Sequence, residues 1–497
     1  MMKKLLVIFA LTFFSKANAQ TYGANNFTLC SIIDPETNVN AYGGKYSACW
    51  GWYQASKNKE YAIAGSSAGT FWIDVTNPYT PTVSCFRAGK NLITVWREIK
   101  SYQNYCYVFS DVHTPNSFQI FDMQYLPDSV HKVHDSKVLF ERSHAAWVDG
   151  NKLYVSGVTY SNNATSTMNL YSLATPSAPV LLRTLSQDAP FITDVHDAFI
   201  SHDTVFASCG YQGLYVFKMV GAPTYSFQQL GSLTSYPFSG YNHSSALTPN
   251  RKTLVFMDEV PAGKPIKVAD VQNLSNITVL STINQYTAGT PHNPWMVNDS
   301  LCFVASYCDG LQLINIKNPA APFLAGYFDT HPQSGGNVSS YPDPYAGLWG
   351  LYPYFPSKNI FALDEQNGAF MLKSRLFMNP PPPDMEGSTP GSVGTHTGSL
   401  PTGITQNFIP SSIAVNPNPA SDKVRFTIPI ELVNTPLTVE LIDIKGQVIF
   451  KQNTTDMKTG GVYHKEINLT PYENGIYFFR LSNSNTVLKN SKLIIAR

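Results

Sequence analysis

Four histidines recur through the middle of this chain at nearly even spacing: His144, His196, His243 and His292. Imidazole is the commonest protein ligand for transition ions, and it titrates near neutrality, so a ring of imidazoles is a candidate metal or anion site. Asp194, Asp197, Asp258 and Glu259 lie close by in sequence and could complete a coordination shell or bind calcium. His196, His243, Asp258 and Glu259 form the candidate metal set, with calcium or a transition ion as occupant. Each acid could equally be a strand-end carboxylate capped by backbone N–H groups. No nucleophile elbow, His-Glu-x-x-His helix or dinucleotide-binding loop is present, so no catalytic residue and no organic cofactor are expected.

The spacing belongs to a larger unit. Trp50, Trp96 and Trp349 extend the series, and successive openings are separated by 46, 48, 52, 47, 49 and 57 residues. Each opening leads into a short apolar strand, and a glycine turn and a second alternating strand often follow. The runs 69–78 and 310–319 both begin with Gly and end with Asn-Pro. A period near 48 fits four short strands per unit, each unable to bury both faces alone, so neighbouring units must stack. The expectation is an all-β chain whose main domain, residues 20–378, is a seven-bladed β-propeller. A strand within 26–33 would complete the last blade. The strand after each Trp or His would line the central channel, gathering His144, His196, His243 and His292 with Trp50, Trp96 and Trp349 at one mouth. The histidines could instead simply fill that mouth and hydrogen-bond across blades.

Composition limits the partners. Charged residues make up 13% of the chain and the formal net charge is +1. Nucleic acid and anionic membranes both call for clustered positive charge, so neither is expected. Residues 1–19 have a basic start, an apolar run from Leu5 to Phe14 and Ala17-Asn18-Ala19, which together make a secretory signal. That run is too short to span a bilayer, and no later segment is long enough. The seven cysteines show no zinc-site spacing, and buried inert thiols are expected.

Several strings resemble the choice-of-anchor B family, built on Leu-Val-Ile-Val-Asp repeats. They are Cys49-Trp50-Gly51-Trp52 followed by Glu60 to Gly65, Trp96-Arg97-Glu98-Ile99-Lys100, Val195-His196-Asp197-Ala198, and the pair Asp258-Glu259. The resemblance covers roughly residues 30–375 and implies a propeller at the cell surface, with no catalytic residues to carry over. The chain departs from it at residues 342–356, a stretch rich in proline and aromatics.

Residues 379–412 form a Pro/Gly/Ser/Thr-rich linker, extended over its proline run and flexible beyond. Residues 413–497 alternate apolar and polar positions between glycine turns, as a small β-sandwich does. Their motifs are Asn416-Pro417-Asn418-Pro419, a turn at Gly446, Gly475 followed by Tyr477, and a final run from Lys492. Together they resemble the type A C-terminal sorting domain of type IX secretion in Bacteroidota. The resemblance implies passage through the outer membrane by that machinery, removal of the domain, and a secreted or surface-attached product.

Three functions remain open: a noncatalytic module binding an extracellular protein or glycan, a channel-sited hydrolase or lyase using the His cluster, and a structural or adhesive surface component. The aromatics Trp349, Tyr352, Tyr354 and Phe355 could stack on a sugar or belong to the core. Deleting residues 413–497 is expected to trap the protein inside the cell. Normal surface delivery of the truncated chain, followed by immunoblot of cell and medium fractions, would overturn the sorting assignment.

Overall fold

Tyr, Val, Ile, Phe and Thr crowd the strand positions, and Gly, Asn and Asp stand between them, so short antiparallel strands joined by tight turns are the economical backbone solution. The computed structural model describes residues 21–112, 115–222, 224–283, 289–334, 344–378, 394–395, 414–416, 420–429, 437–443, 447–454, 462–482 and 487–497. The leader lies outside these residues, as does all of the 379–412 linker except 394–395. Among the described residues no α-helix occurs, and the chain is all-β.

The described residues between 21 and 378 fold into successive antiparallel sheets, each running from an innermost to an outermost strand. The innermost strands are Tyr46–Gln54, Arg97–Tyr102, Ala145–Asp149, Asp197–Ser201, Asn242–Leu247, Asn293–Met296 and Leu348–Tyr352. Each packs beside the innermost strand of the next sheet, and Leu348–Tyr352 packs beside Tyr46–Gln54, so the circle closes in a propeller-like region. No single core serves it. Every pair of neighbouring sheets encloses its own apolar layer, such as Ile63 and Trp72 with Val108 and Phe121. The last and first sheets share one too, with Phe361 and Leu363 against Tyr46 and Ala62.

Two turn devices repeat. Gly213 (φ +90°) and Gly310 (φ +66°) open the third strand of their sheets in the left-handed region. A Cβ there would meet Leu233 O at 2.7 Å and Phe328 O at 2.4 Å, so the outer strand leaves no room for a side chain. After the third strand, the side chains of Asn77 and Asn318 accept from the backbone N–H two residues on, which fixes the Asn-Pro turns.

The N-terminus closes the circle. Phe27–Ile33 pairs with Gly368–Ser374 as the outermost strand of the last sheet. Just before it, Ala24–Asn25 adds a fifth strand to the preceding sheet, opposite Tyr327 and Phe328. Thr21–Tyr22 pairs with Gly394–Thr395, so part of the expected spacer is held in a two-stranded ladder. The 342–356 stretch is in part scaffold: it contains the innermost strand Leu348–Tyr352, and Phe355 is buried against Phe361.

The C-terminal segment has two sheets. Ala414–Asn416, Lys423–Pro429 and Val462–Asn468 make one, and Val448–Thr454, Leu437–Ile442, Gly475–Ser482 and Val487–Ile495 the other. Val424, Ile467, Leu441, Phe479, Leu481 and Leu493 form their common core. Cys49, Cys85, Cys106, Cys209 and Cys302 are buried, unbridged thiols.

Phe27 is buried between the last two sheets and meets Phe303 edge-on at 5.9 Å. Phe27→Ala is expected to destabilise the full chain by about 3–5 kcal/mol. Thermal or urea unfolding checks this against Phe191→Ala, an exposed-site control expected to be near neutral.

Candidate functional site

The innermost strands bring one residue from most sheets to a common level at one mouth of the axis. Trp96, His144, His196 and His292 stand immediately before their strands, whereas His243 and Trp349 occupy register breaks between Asn242 and Ser244 and between Leu348 and Gly350. Their rings form a closed annulus. Successive centroids lie 6.0 Å apart from Trp96 to His144, 4.1 Å to His196, 4.1 Å to His243, 4.5 Å to His292, 4.4 Å to Trp349 and 6.3 Å back to Trp96.

Trp50 does not join this ring. A register break between Tyr46 and Cys49 puts the small residues Ser47 and Ala48 at the start of the first strand, and Trp50 falls one level deeper. There its indole N–H donates to Ser101 Oγ at 2.9 Å. It meets Trp295 at 5.8 Å, Trp147 at 6.4 Å and Tyr352 at 5.3 Å, and Trp147 meets Trp295 at 6.3 Å. This second aromatic tier plugs the axis below the annulus.

The annulus, the tryptophan tier and a few polar residues enclose a cavity of about 60 Å³. Lys100 pairs with Glu98 and lies 4.7 Å from the Trp50 ring centre, a cation–π contact. Asp197 also lines the cavity. Burial pushes its carboxyl up to about 6, opposed by Lys100 and reinforced by Glu98. Organic ligand sites usually measure about 300–1,000 Å³, so this space suits an ion with a few waters and not a sugar.

The imidazoles differ in charge. Burial, and then the neighbouring histidines, depress His196 and His292 well below the usual value; burial also lowers His243, against the pull of Glu259. These three are neutral at pH 7. His144 goes the other way: burial opposes its charge, but Asp111, 2.5 Å from Nδ1, outweighs burial and raises it.

Three candidate metal ligands converge. Ligand atoms of His196, His243 and Glu259 all lie within 4.8 Å of one another, so this cluster could coordinate an ion. His196 Nδ1 faces the His243 carbonyl at 3.2 Å, which leaves its Nε2 as acceptor. Glu259 accepts from the Tyr307 hydroxyl at 2.6 Å through Oε1, and its Oε2 lies 3.7 Å from His243 Nε2. Asp258 is not brought in. Its fully buried carboxylate takes the Lys267 ammonium and the Tyr236 hydroxyl, a closed ion pair. Asp194 accepts from Tyr241 OH at 2.6 Å, and Tyr241 packs edge-on against His196.

Asp111, Tyr307 and Tyr241 are functional neighbours that were not legible as such. Asp111 directly follows its sheet's second strand, Tyr105–Ser110, the place Glu259 takes after Thr253–Asp258, and that equivalence was the available signal.

In the C-terminal segment, Asn416 lies in the strand opposite Arg425, Gly475 opens its strand, and Lys492 pairs with Phe478. Tyr477 OH donates to Glu473 O at 2.9 Å. Pro417, Asn418, Pro419 and Gly446 lie outside the described residues. Residues 414–496 match the family described as secretion system C-terminal sorting domain. The chain therefore carries a type IX sorting domain. The match is consistent with export to the cell surface or beyond.

No curated protein matches the chain. Among solved structures, a protein from Lactobacillus plantarum is similar at 14% identity and a TM-score of 0.47, over 67% of this chain and 92% of that one. A putative 6-phosphogluconolactonase from Bacteroides uniformis is similar at 13% and 0.48, over 71% and 96%. At these TM-scores neither likeness carries an argument. No helix among the described residues is long and apolar enough to cross a membrane.

The depressed imidazoles couple stability to acid. Below about pH 6.5 the unfolded chain takes protons that folded His196, His243 and His292 refuse, so their contribution is present above that value and lost as pH falls. Raised groups such as Asp197 act oppositely, withdrawing stability as pH rises toward about 6. Between pH 7 and 5 the melting temperature of the wild type is expected to drop further than that of His292→Phe; parallel drops would refute this.

Proposed function

We propose that the protein is exported by the type IX system as a seven-bladed choice-of-anchor B-type propeller, followed by a removable sandwich-shaped sorting domain, and acts as a noncatalytic extracellular binding module. The observation that carries the binding reading is an exposed aromatic rim on the annulus side. Tyr211 is 73% exposed and Phe191 50% exposed. Tyr211 stacks edge-on with Tyr241 at 5.2 Å, and Tyr241 in turn touches His196, so the rim is braced by the rigid ring. Gln212, between Phe191 and Tyr211 in the fold, bonds Thr193 and the Phe191 carbonyl. Aromatic faces flanked by amide and carboxylate groups are the chemistry of a glycan-binding surface, and a protein partner would use the same anchors.

This rim replaces the aromatics singled out in the 342–356 stretch. Phe355 is buried, Trp349 belongs to the annulus and Tyr352 packs on Trp50, while Tyr354 stays 42% exposed with its hydroxyl donating to Met296 O at 2.8 Å. The small cavity weighs against a hydrolase or lyase acting at the histidines, because a polymer substrate has no room beside them.

Glycan-array or surface-pulldown binding tests the reading. Tyr211→Ala and Phe191→Ala are expected to weaken binding about tenfold or more while leaving the melting temperature unchanged. Undiminished binding would move the site elsewhere, and self-association with no ligand would favour the structural surface component.

A further inference from the structure

The converging ligands at the mouth carry a more specific reading. We propose that His196, His243 and Glu259 hold one divalent transition ion of the zinc type, which cross-links two neighbouring sheets of the propeller. His196 comes from the connection just before Asp197–Ser201, while His243 lies in the first strand of the next sheet, Asn242–Leu247, and Glu259 directly follows its second, Thr253–Asp258. An ion bound here therefore adds a metal link at the mouth to sheets already joined by the Gly210–Asn242 backbone bridge and the Tyr241–Asp194 hydrogen bond.

Donor chemistry selects the ion. Two imidazole nitrogens and one carboxylate suit zinc and its neighbours, whereas calcium requires six to eight oxygens. Two of the ligands are oriented by second partners, as metal ligands commonly are. The His243 carbonyl takes the Nδ1 side of His196 and so frees Nε2. His243 directs Nε2 toward Glu259, and its buried Nδ1 makes no hydrogen bond among the described residues. Tyr307 donates to one oxygen of Glu259 and leaves the other facing the histidines. That second oxygen stands 3.7 Å from His243 Nε2, too long for a hydrogen bond. Two donors each about 2.0–2.2 Å from a tetrahedral ion stand roughly 3.4 Å apart, so the observed separation needs only a small closure. The adjoining cavity of about 60 Å³ leaves space for water in a remaining coordination position. It leaves none for an organic substrate, so the ion's role is to brace the mouth.

This proposal stands apart from the glycan or protein reading, because its readouts involve no surface ligand. The full chain, stripped with chelator and dialysed, is titrated with zinc sulfate and then analysed for bound metal. About one zinc per chain, a raised melting temperature, and visible absorption bands when cobalt(II) replaces zinc are expected. His243→Gln and Glu259→Gln should lose the ion, whereas His131→Gln, at an exposed histidine on another sheet, should keep it. Tyr307→Phe guards against misfolding, since it retains all three ligands and removes only the hydroxyl that orients Glu259. Its zinc affinity is expected to fall about 10–100-fold. A chain that takes up no zinc at micromolar concentrations, or zinc retained with unchanged affinity in both Glu259→Gln and Tyr307→Phe, overturns the assignment.

Discussion

The ladder between Phe27–Ile33 and Gly368–Ser374 joins the start of the propeller-like region to its end, and the centre depends on it. A ring of stacked sheets has no central core to fall back on; each sheet is stable only while both its faces are covered. If the last sheet lost its outer strand, the layer it shares with the first sheet would open, and so would the circle of innermost strands. The annulus exists only because that circle closes. Its members come from six different sheets, and none is placed by its sequence neighbours alone. Ala24–Asn25 reinforces the closure by stitching the same segment to the preceding sheet.

Within the closed ring, local chemistry divides the imidazoles. Asp111 next to His144 favours a charged ring, whereas His196, His243 and His292 are crowded together in a desolvated space and stay neutral. Like charges at centroid distances near 4 Å in such surroundings would repel strongly. The neutral members are those that keep a lone pair for a ligand, and Glu259 stands beside two of them. Lower down, Lys100 is compensated by Glu98 and by the Trp50 face.

Much of this was legible from the sequence, and the failures have physical causes. The strand-and-turn grammar made the repeat visible, because turn devices such as the left-handed Gly213 and Gly310 and the Asn77 and Asn318 turns recur in more than one unit. The repeat then placed His144, His196, His243, His292, Trp96 and Trp349 at one level. Trp50 was misplaced because an extra residue in a β-strand shifts the register without disturbing the alternating pattern. Asp258 and Glu259 looked equivalent as neighbours in sequence, yet Asp258 ends its strand in a buried ion pair with Lys267, whereas Glu259, just past the strand, faces the histidines. Tyr307 and Asp111 were missed because their partners lie 48 and 33 residues away, and only the folded turns bring them together. The rim aromatics Phe191 and Tyr211 sit on connections, where periodicity carries no information.

The tryptophan tier also gives the disc two unequal sides. Trp50, Trp147 and Trp295 meet across the axis, so solvent that reaches the imidazoles cannot continue to the opposite face. Whatever enters the chamber leaves by the way it came. The Trp96–Trp349 pair, at 6.3 Å the widest step of the annulus, spans the place of the first sheet, which puts Ser47 and Ala48 there instead of a ring.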